Sequence, residues 1–410
     1  MENLATAMPA GETAGRIRRL QAELRKAGLS AFLATRNVDL LYLTGSMQSG
    51  YAWIPAEGEA TFYVRRSVER AAGESHVRTV PLGSFRSFGE TVVRDYPGLA
   101  RASGGVPLRI AAALEAMPAQ LYLKLAELFA SQLNGASIVD GSAVIRRIRA
   151  VKSPWEIGRI EAAAAVAAEA LEAALPALRE GVTELEWMAR FEHEIRIRGH
   201  IGVMRMRGYN QEVLTGMVGS GAAAAEPASF DGPAGGRGLG PAAAQSVSRK
   251  PFRRGEPILI DVGCCIDGYV IDQTRTAVIG ELPNELAAAY AASEAILRQA
   301  EAALVPGASP EAVYAEALAA AGEAGLAAHF MGFGEDRVKF LGHGIGLEVD
   351  EWPVLASGFR EPLAEGMVIA IEPKFTFPGR GVVGIENTYA VAAAGARRLT
   401  RSPEGIIQLP

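Results

Sequence analysis

Two cysteines in 410 residues, adjacent to each other at Cys264 and Cys265, leave the chain no means of stapling distant segments together. A disulfide framework is therefore excluded. No window holds the roughly 18 uninterrupted apolar residues of a membrane span, and the opening MENLATAMPAGETAGRIRRL lacks a basic segment followed by an apolar run. Basic charge is not in excess either. With 41 Lys and Arg against 46 Asp and Glu the net charge is −5, which gives no general attraction for nucleic acid or an anionic membrane. The expectation is a cytoplasmic protein whose partners are small ligands, with no nucleic acid and no membrane.

What the chain has in quantity is apolar residues, 49% of the total, enough to bury a core in each of two ordinary domains. From Gly15 to about Arg149 the pattern alternates between helix and strand: helical 16–29, strand-like 31–34, helical 38–43, strand-like 60–64 and helical 120–133. This predicts an α/β domain over residues 1–149. It carries no Gly-rich phosphate loop after its first strand and no acidic or histidine cluster, so it reads as structural.

A second domain, 150–410, is predicted to open at Ser153-Pro-Trp-Glu156, where Ser153 caps a helix with Pro154 in its first turn and Glu156 three residues on. Helices at about 154–179 and 183–199, a Gly/Ala/Pro-rich loop at 216–245 and a hairpin at 257–278 follow. The order then repeats, with helices at about 284–304 and 309–325 and a second hairpin from Met367 to Val391. Two helix–helix–hairpin halves suggest an internal pseudo-twofold.

The first hairpin, ILIDVGCCIDGYVIDQTRT from Ile258, places Asp261 and Asp272 inside strands, where aspartate is disfavoured. With its corner between Ile266 and Asp267, the two carboxylates face each other directly. The second hairpin, VIAIEPKFTFPGRGVVGIEN from Val368, opposes Glu372 and Glu386 in the same way. Like charges across a ladder repel, and two such pairs in matching halves call for a multivalent cation. His343, in FLGHGIGL, supplies an imidazole between them. Four carboxylates and one histidine exceed the needs of a structural zinc and suit two adjacent divalent ions.

These residues resemble the pita-bread metallopeptidases, the group of methionine aminopeptidase, Xaa-Pro aminopeptidase, prolidase and creatinase. The resemblance spans nearly the whole chain: residues 1–149 look like the creatinase/prolidase N-terminal domain, RAVKSPWEI from Arg149 like the inter-domain signature, and 153–391 like the catalytic α+β fold. The metal positions match at Asp261, Asp272, His343, Glu372 and Glu386. The resemblance implies that Asp261 holds one ion, His343 and Glu372 the other, and Asp272 and Glu386 both. It implies a catalytic Glu372 that relays a proton from the attacking water to the leaving amine, an ion drawn from Mn, Co, Fe or Zn, and a homodimer.

Proline-cleaving members carry further histidines around the substrate. Here the loop 216–250 has none, Lys339 stands four residues before His343, and Asp350 stands seven after it. Asp350 and Lys339 are the candidates for that substrate contact, Asp350 also as a catalytic group, and Arg237 in the Gly-rich loop is a candidate for a substrate carboxylate. His76, His193, His200 and His329 read as packing or surface residues, and Cys265 as a buried thiol. The function expected is hydrolysis of a C–N amide bond, as an aminopeptidase or dipeptidase. The alternatives are hydrolysis of a small non-peptide amide, as in creatinase or ectoine hydrolase, and a non-catalytic binding module, against which the retention of all five metal positions argues.

Overall fold

The computed structural model describes residues 8–99, 106–213 and 215–410, and the chain divides into two compact units, 1–149 and 150–410. Among the described residues, no helix is long and apolar enough to cross a membrane.

The first unit contains α1 (Ala10–Lys26), β1 (Ala31–Ala34), α2 (Asn37–Thr44), β2 (Gly50–Pro55), β3 (Thr61–Val64), α3 (Val68–Glu74), β4 (Arg78–Pro81), α4 (Phe88–Asp95), β5 (Arg109–Ala112), α5 (Ala119–Gln132), β6 (Ser137–Asp140) and α6 (Ser142–Ala150). Its strands form one mixed sheet in the order β4-β3-β2-β1-β5-β6. Four of them, β2, β4, β5 and β6, escape the pattern reading; β2 is buried along its whole length and shows no alternation. Trp53, Tyr63, Phe88 and Phe129 fill the core, with Trp53 and Phe129 edge to face at 6.0 Å.

The second unit begins with α7 (Pro154–Ala174), whose capping box joins Ser153 and Glu156. A second box, Thr183 with Glu186, starts α8 (Glu184–Ile197). Glu184, fully buried, ties this helix start to the sheet: its carboxylate accepts from the backbone N–H and hydroxyl of both Ser220 and Ser248, at 2.7–2.9 Å. Residues 216–220, expected as loop, form β7 (Gly216–Ser220). The glycines that argued against a strand are there because the neighbouring backbone is close.

β7 pairs with β8 (Pro257–Ile266), β8 with β9 (Tyr269–Ile279), and β17 (Ile407–Leu409) closes the sheet in parallel with β9. Then come α9 (Asn284–Ala303) and α10 (Pro310–Glu323), followed by β10 (Phe340–Gly344), β11 (Glu351–Ala356), β12 (Val368–Ile371), β13 (Lys374–Phe377), β14 (Gly381–Gly384), β15 (Asn387–Ala392) and β16 (Gly395–Arg398). A five-stranded sheet runs β11-β10-β12-β15-β16, and β13 and β14 pair separately. The helix–helix–hairpin order thus occurs twice. The second hairpin is broken into two ladders of one common register, and Glu372 and Glu386 sit at the break.

The register of the first hairpin corrects the sequence reading. Asp261 lies opposite Thr274 and Asp272 opposite Gly263, with the corner at Asp267-Gly268. Both corner residues have positive φ, 51° and 89°, as a two-residue type I′ turn demands, and Asp-Gly is the dipeptide that supplies it. The ladder is therefore shifted by two residues. An even shift preserves the face, so the two aspartates are diagonal neighbours on one side.

Candidate metal centre

The two hairpins meet where Thr274 and Glu386 exchange backbone hydrogen bonds, Glu386 N to Thr274 O at 3.1 Å and the reverse at 3.4 Å. The Thr274 hydroxyl also donates to Glu386 Oε2 at 2.8 Å. Arg275, fully buried, fixes the same junction: its guanidinium donates to the carbonyls of Thr274 and Glu386 and to Asn387 Oδ1, at 2.7–2.9 Å. It reaches the carbonyls of Ser402 and Pro403 as well. Burial lowers its pKa to about 10. The Thr-Arg of the sequence motif thus anchors the ligand Glu386 and supplies no donor of its own to the cluster.

His343 enters on β10, between β11 and β12. Gly344 beside it is obligatory, since a Cβ there would lie 2.1 Å from the Trp352 carbonyl. His343 Nδ1 lies 3.1 Å from the Gly344 carbonyl. Donation there leaves Nε2 with its lone pair for a cation, and Nε2 is 3.7 Å from Glu372 Oε1.

All five predicted donors converge. Asp272, His343 and Glu386 offer atoms within 4.8 Å of one another, and so do Asp261, Glu372 and Glu386. This partition differs from the one the resemblance implies, because Glu372 groups with Asp261 and only Glu386 belongs to both sets. Crowding shows in the acidities. Burial, then the Glu386 and Asp261 charges, push the Asp272 carboxyl well above its ordinary range. Burial, opposed by Lys374 and reinforced by Glu372 and Asp261, raises Glu386 to about 7.

A residue the sequence reading overlooked stands among them. Lys374, fully buried, extends Nζ to Glu372 Oε2 at 2.7 Å, Asp261 Oδ2 at 2.9 Å and Glu386 Oε2 at 3.4 Å. Burial works to lower its pKa, yet those three carboxylates outweigh it and hold the ammonium well above the usual lysine value. The signal was present in strand alternation: Lys374 is two residues from Glu372 and shares its face.

Asp350 accepts from the Arg207 backbone N–H at 3.0 Å. Burial raises its pKa against that hydrogen bond, Glu348 adds to the rise, and His343 is near enough to act on it in the opposite sense. Arg207 and Glu348, both buried, pair at 3.4 Å behind it. The other two substrate candidates lie elsewhere. Lys339 is exposed, in a depression shared with Tyr314, Phe330 and Val338, and Arg237 spends its guanidinium on Glu226 at 2.6–2.9 Å. Among the described residues neither has a hydrogen bond or ion pair to a predicted metal ligand; Arg237 is held by Glu226 instead. Cys264 and Cys265 are buried, with thiol pKa values pushed by burial to about 12; the Cys265 N–H donates to His200 Nδ1.

Residues 158–393 match the sequence pattern of Metallopeptidase family M24, and residues 16–151 that of the Creatinase/Prolidase N-terminal domain. The chain belongs to metallopeptidase family M24. Among curated relatives, a "Probable dipeptidase PepE" of Mycobacterium tuberculosis is 32% identical over 393 residues, 94% of this chain and 93% of that protein. An "Xaa-Pro dipeptidase" of Pyrococcus horikoshii is 29% identical, covering 96% and 98%. Of solved structures, the dipeptidase PepE from Mycobacterium ulcerans superposes with a TM-score of 0.78 at 28% identity, covering 98% of this chain and 99% of that one. The prolidase from Pyrococcus horikoshii gives 0.76 at 26%, covering 96% and 100%. The fold is the M24 pita-bread fold, preceded along the chain by a creatinase-type α/β domain, and the protein is a metal-dependent hydrolase.

A divalent ion fits the Asp272, His343 and Glu386 donors. Glu386 Oε1 is buried without a hydrogen-bond partner among the described residues, a costly state unless a cation takes it up. The Asp261, Glu372 and Glu386 set is different, because an ammonium is already there.

Proposed function

We propose that the chain hydrolyses the C–N amide bond of a short peptide with a free N-terminus, a dipeptide above all. The observation that carries this reading is the convergence of five M24-type donors in two sets that share Glu386, whose Oε1 has no hydrogen-bond partner among the described residues; the names of the relatives support the peptide class. An ion held there supplies a Lewis acid and a water of lowered pKa. Glu372 has one oxygen toward His343 and the other on Lys374. It holds the water proton and delivers it to the leaving amine. Asp350, fixed through the Arg207 N–H, offers an anion where the substrate's ammonium or another N–H-bearing group docks.

The test is a library of dipeptides, their N-acetyl forms and small non-peptide amides, assayed on protein stripped and reloaded with Mn²⁺, Co²⁺, Fe²⁺ or Zn²⁺ in turn. Free dipeptides are turned over, and acetylation, which removes the ammonium, abolishes activity. Xaa-Pro dipeptides are poor substrates, because Asp350 and not an imidazole follows His343. Xaa-Pro cleavage above about 10⁴ M⁻¹s⁻¹, or indifference to acetylation, refutes the role of Asp350. Turnover confined to small amides favours the second reading, which rests on the absence of histidine between 216 and 250. The same proposal takes the active form to be a homodimer, since unit 1 holds no metal-binding cluster among its described residues; light scattering at assay concentration checks it.

A further inference from the structure

We propose that the Lys374 ammonium is the resident cation of the Asp261, Glu372 and Glu386 half of the centre, so that the protein holds one divalent ion, at Asp272, His343 and Glu386, instead of two. The inference rests on the metal-dependent reading above and narrows it.

Three observations carry it. First, the contacts match the group: an ammonium has three N–H donors, and Nζ has three carboxylate partners, Glu372 at 2.7 Å, Asp261 at 2.9 Å and Glu386 at 3.4 Å. These are the same three residues that form the second donor set. A divalent ion bound to those oxygens at about 2.0–2.2 Å would have to share its volume with Nζ. Second, the lysine is built into the fold. Its side chain is fully buried, and Gly384, opposite it in the β13–β14 ladder, leaves room for the stem, because a Cβ at 384 would lie 2.6 Å from Lys374 Cγ. Third, the two oxygens of Glu386, the residue common to both sets, differ in what remains unsatisfied. Glu386 Oε2 is taken by Thr274 and Lys374, whereas Oε1 has no partner among the described residues. Oε2 already meets the ammonium, and the unmet demand for a cation is at Oε1.

Charge agrees with this division. Four carboxylates face one lysine in the cluster, and a single divalent ion with that lysine leaves one negative charge. Two divalent ions with the lysine in place would leave a net positive charge, with an ammonium pressed against a metal.

The experiment counts and locates the ions. Wild-type protein is stripped with chelator, titrated with Mn²⁺ and followed by elemental analysis and electron paramagnetic resonance. About one Mn²⁺ per chain with an isolated-ion spectrum is expected. Two ions of comparable affinity, or the exchange-coupled spectrum of a Mn²⁺ pair, overturn the proposal. No bound ion overturns the metal-dependent reading as well, which separates the two failures. Lys374→Gly should admit a second ion and produce the coupled spectrum; one ion in that variant counts against the lysine as the excluding group. His343→Ala should lose the wild-type ion and Asp261→Asn should retain it, and the reverse pattern overturns the placement. Should Lys374→Gly fail to fold, the wild-type count and the Asp261 and His343 variants still decide.

Discussion

Stripped of metal, the protein is expected to lose stability as pH rises from 5 to 8, opposite to the usual carboxylate contribution. Glu386 is raised to about 7 from an ordinary 4.5, chiefly by burial, and Asp272 lies well above its own ordinary value for the same reason. In the unfolded chain both titrate near their ordinary values. Between those and the folded values the native state holds more protons, so stability falls with pH at about 1.4 kcal/mol per unit for each extra proton. For Glu386 the loss begins near 4.5 and is complete once pH passes about 7, a total on the order of 3 kcal/mol. Asp272 adds a loss of the same sign. Lys374, raised well above 10.5, stays charged throughout this window and contributes no slope. Urea unfolding of chelated protein at pH 5, 6, 7 and 8 measures the effect, and Glu386→Gln, which removes the titrating group, should flatten it. With saturating metal the fall should vanish, because an ion selects the deprotonated ligands. Metal-free stability that is flat or rising over this range, or an unchanged slope in Glu386→Gln, would refute the reasoning.

Glu372→Gln and His343→Ala should each lower kcat by about 100-fold or more on the best dipeptide, whereas His76→Ala, His193→Ala, His200→Ala and His329→Ala should retain turnover; initial rates under saturating metal compare them. Arg275→Lys cannot span the carbonyls of Thr274, Glu386, Ser402 and Pro403, so metal affinity should fall about 10–100-fold, read by competition with a chelating dye. Glu184→Ala strips the acceptors from two buried N–H groups and two hydroxyls and should destabilise by about 3 kcal/mol or more, seen as a lower urea midpoint.

The sequence reveals the donors because strand chemistry makes them anomalous: aspartate within an apolar ladder is an exception that demands a cause. It also yields the helix starts at Ser153 and Thr183, where cap and carboxylate are three residues apart. The register of the first hairpin is harder. Alternation fixes which face a residue occupies but not its partner, and only the left-handed demand of the Asp267-Gly268 corner places Asp261 across from Thr274. β2 and β7 are lost for opposite reasons, the one buried on both faces and the other diluted with glycine. Arg207 and Glu348 carry no pattern at all, because their partnership spans 141 positions and exists only through packing.

Lys374 is the instructive omission. Lysine is the side chain least often fully buried unless paired, so in a sequence it reads as surface, and the string Glu-Pro-Lys draws attention to its glutamate. Yet the alternation that turns Glu372 inward turns Lys374 inward as well, and Gly384 opposite it marks the space its stem requires. Two of the four acids, Glu372 and Glu386, and the counter-cation therefore come from one hairpin and are set by one register. Two hairpins bearing only the acids need metal before they can meet, since their four clustered carboxylates repel without it. One bearing its own ammonium is partly neutralised as it forms. The same residue that eases folding narrows the chemistry, for a cation that is part of the chain cannot exchange, bind water as a ligand or leave.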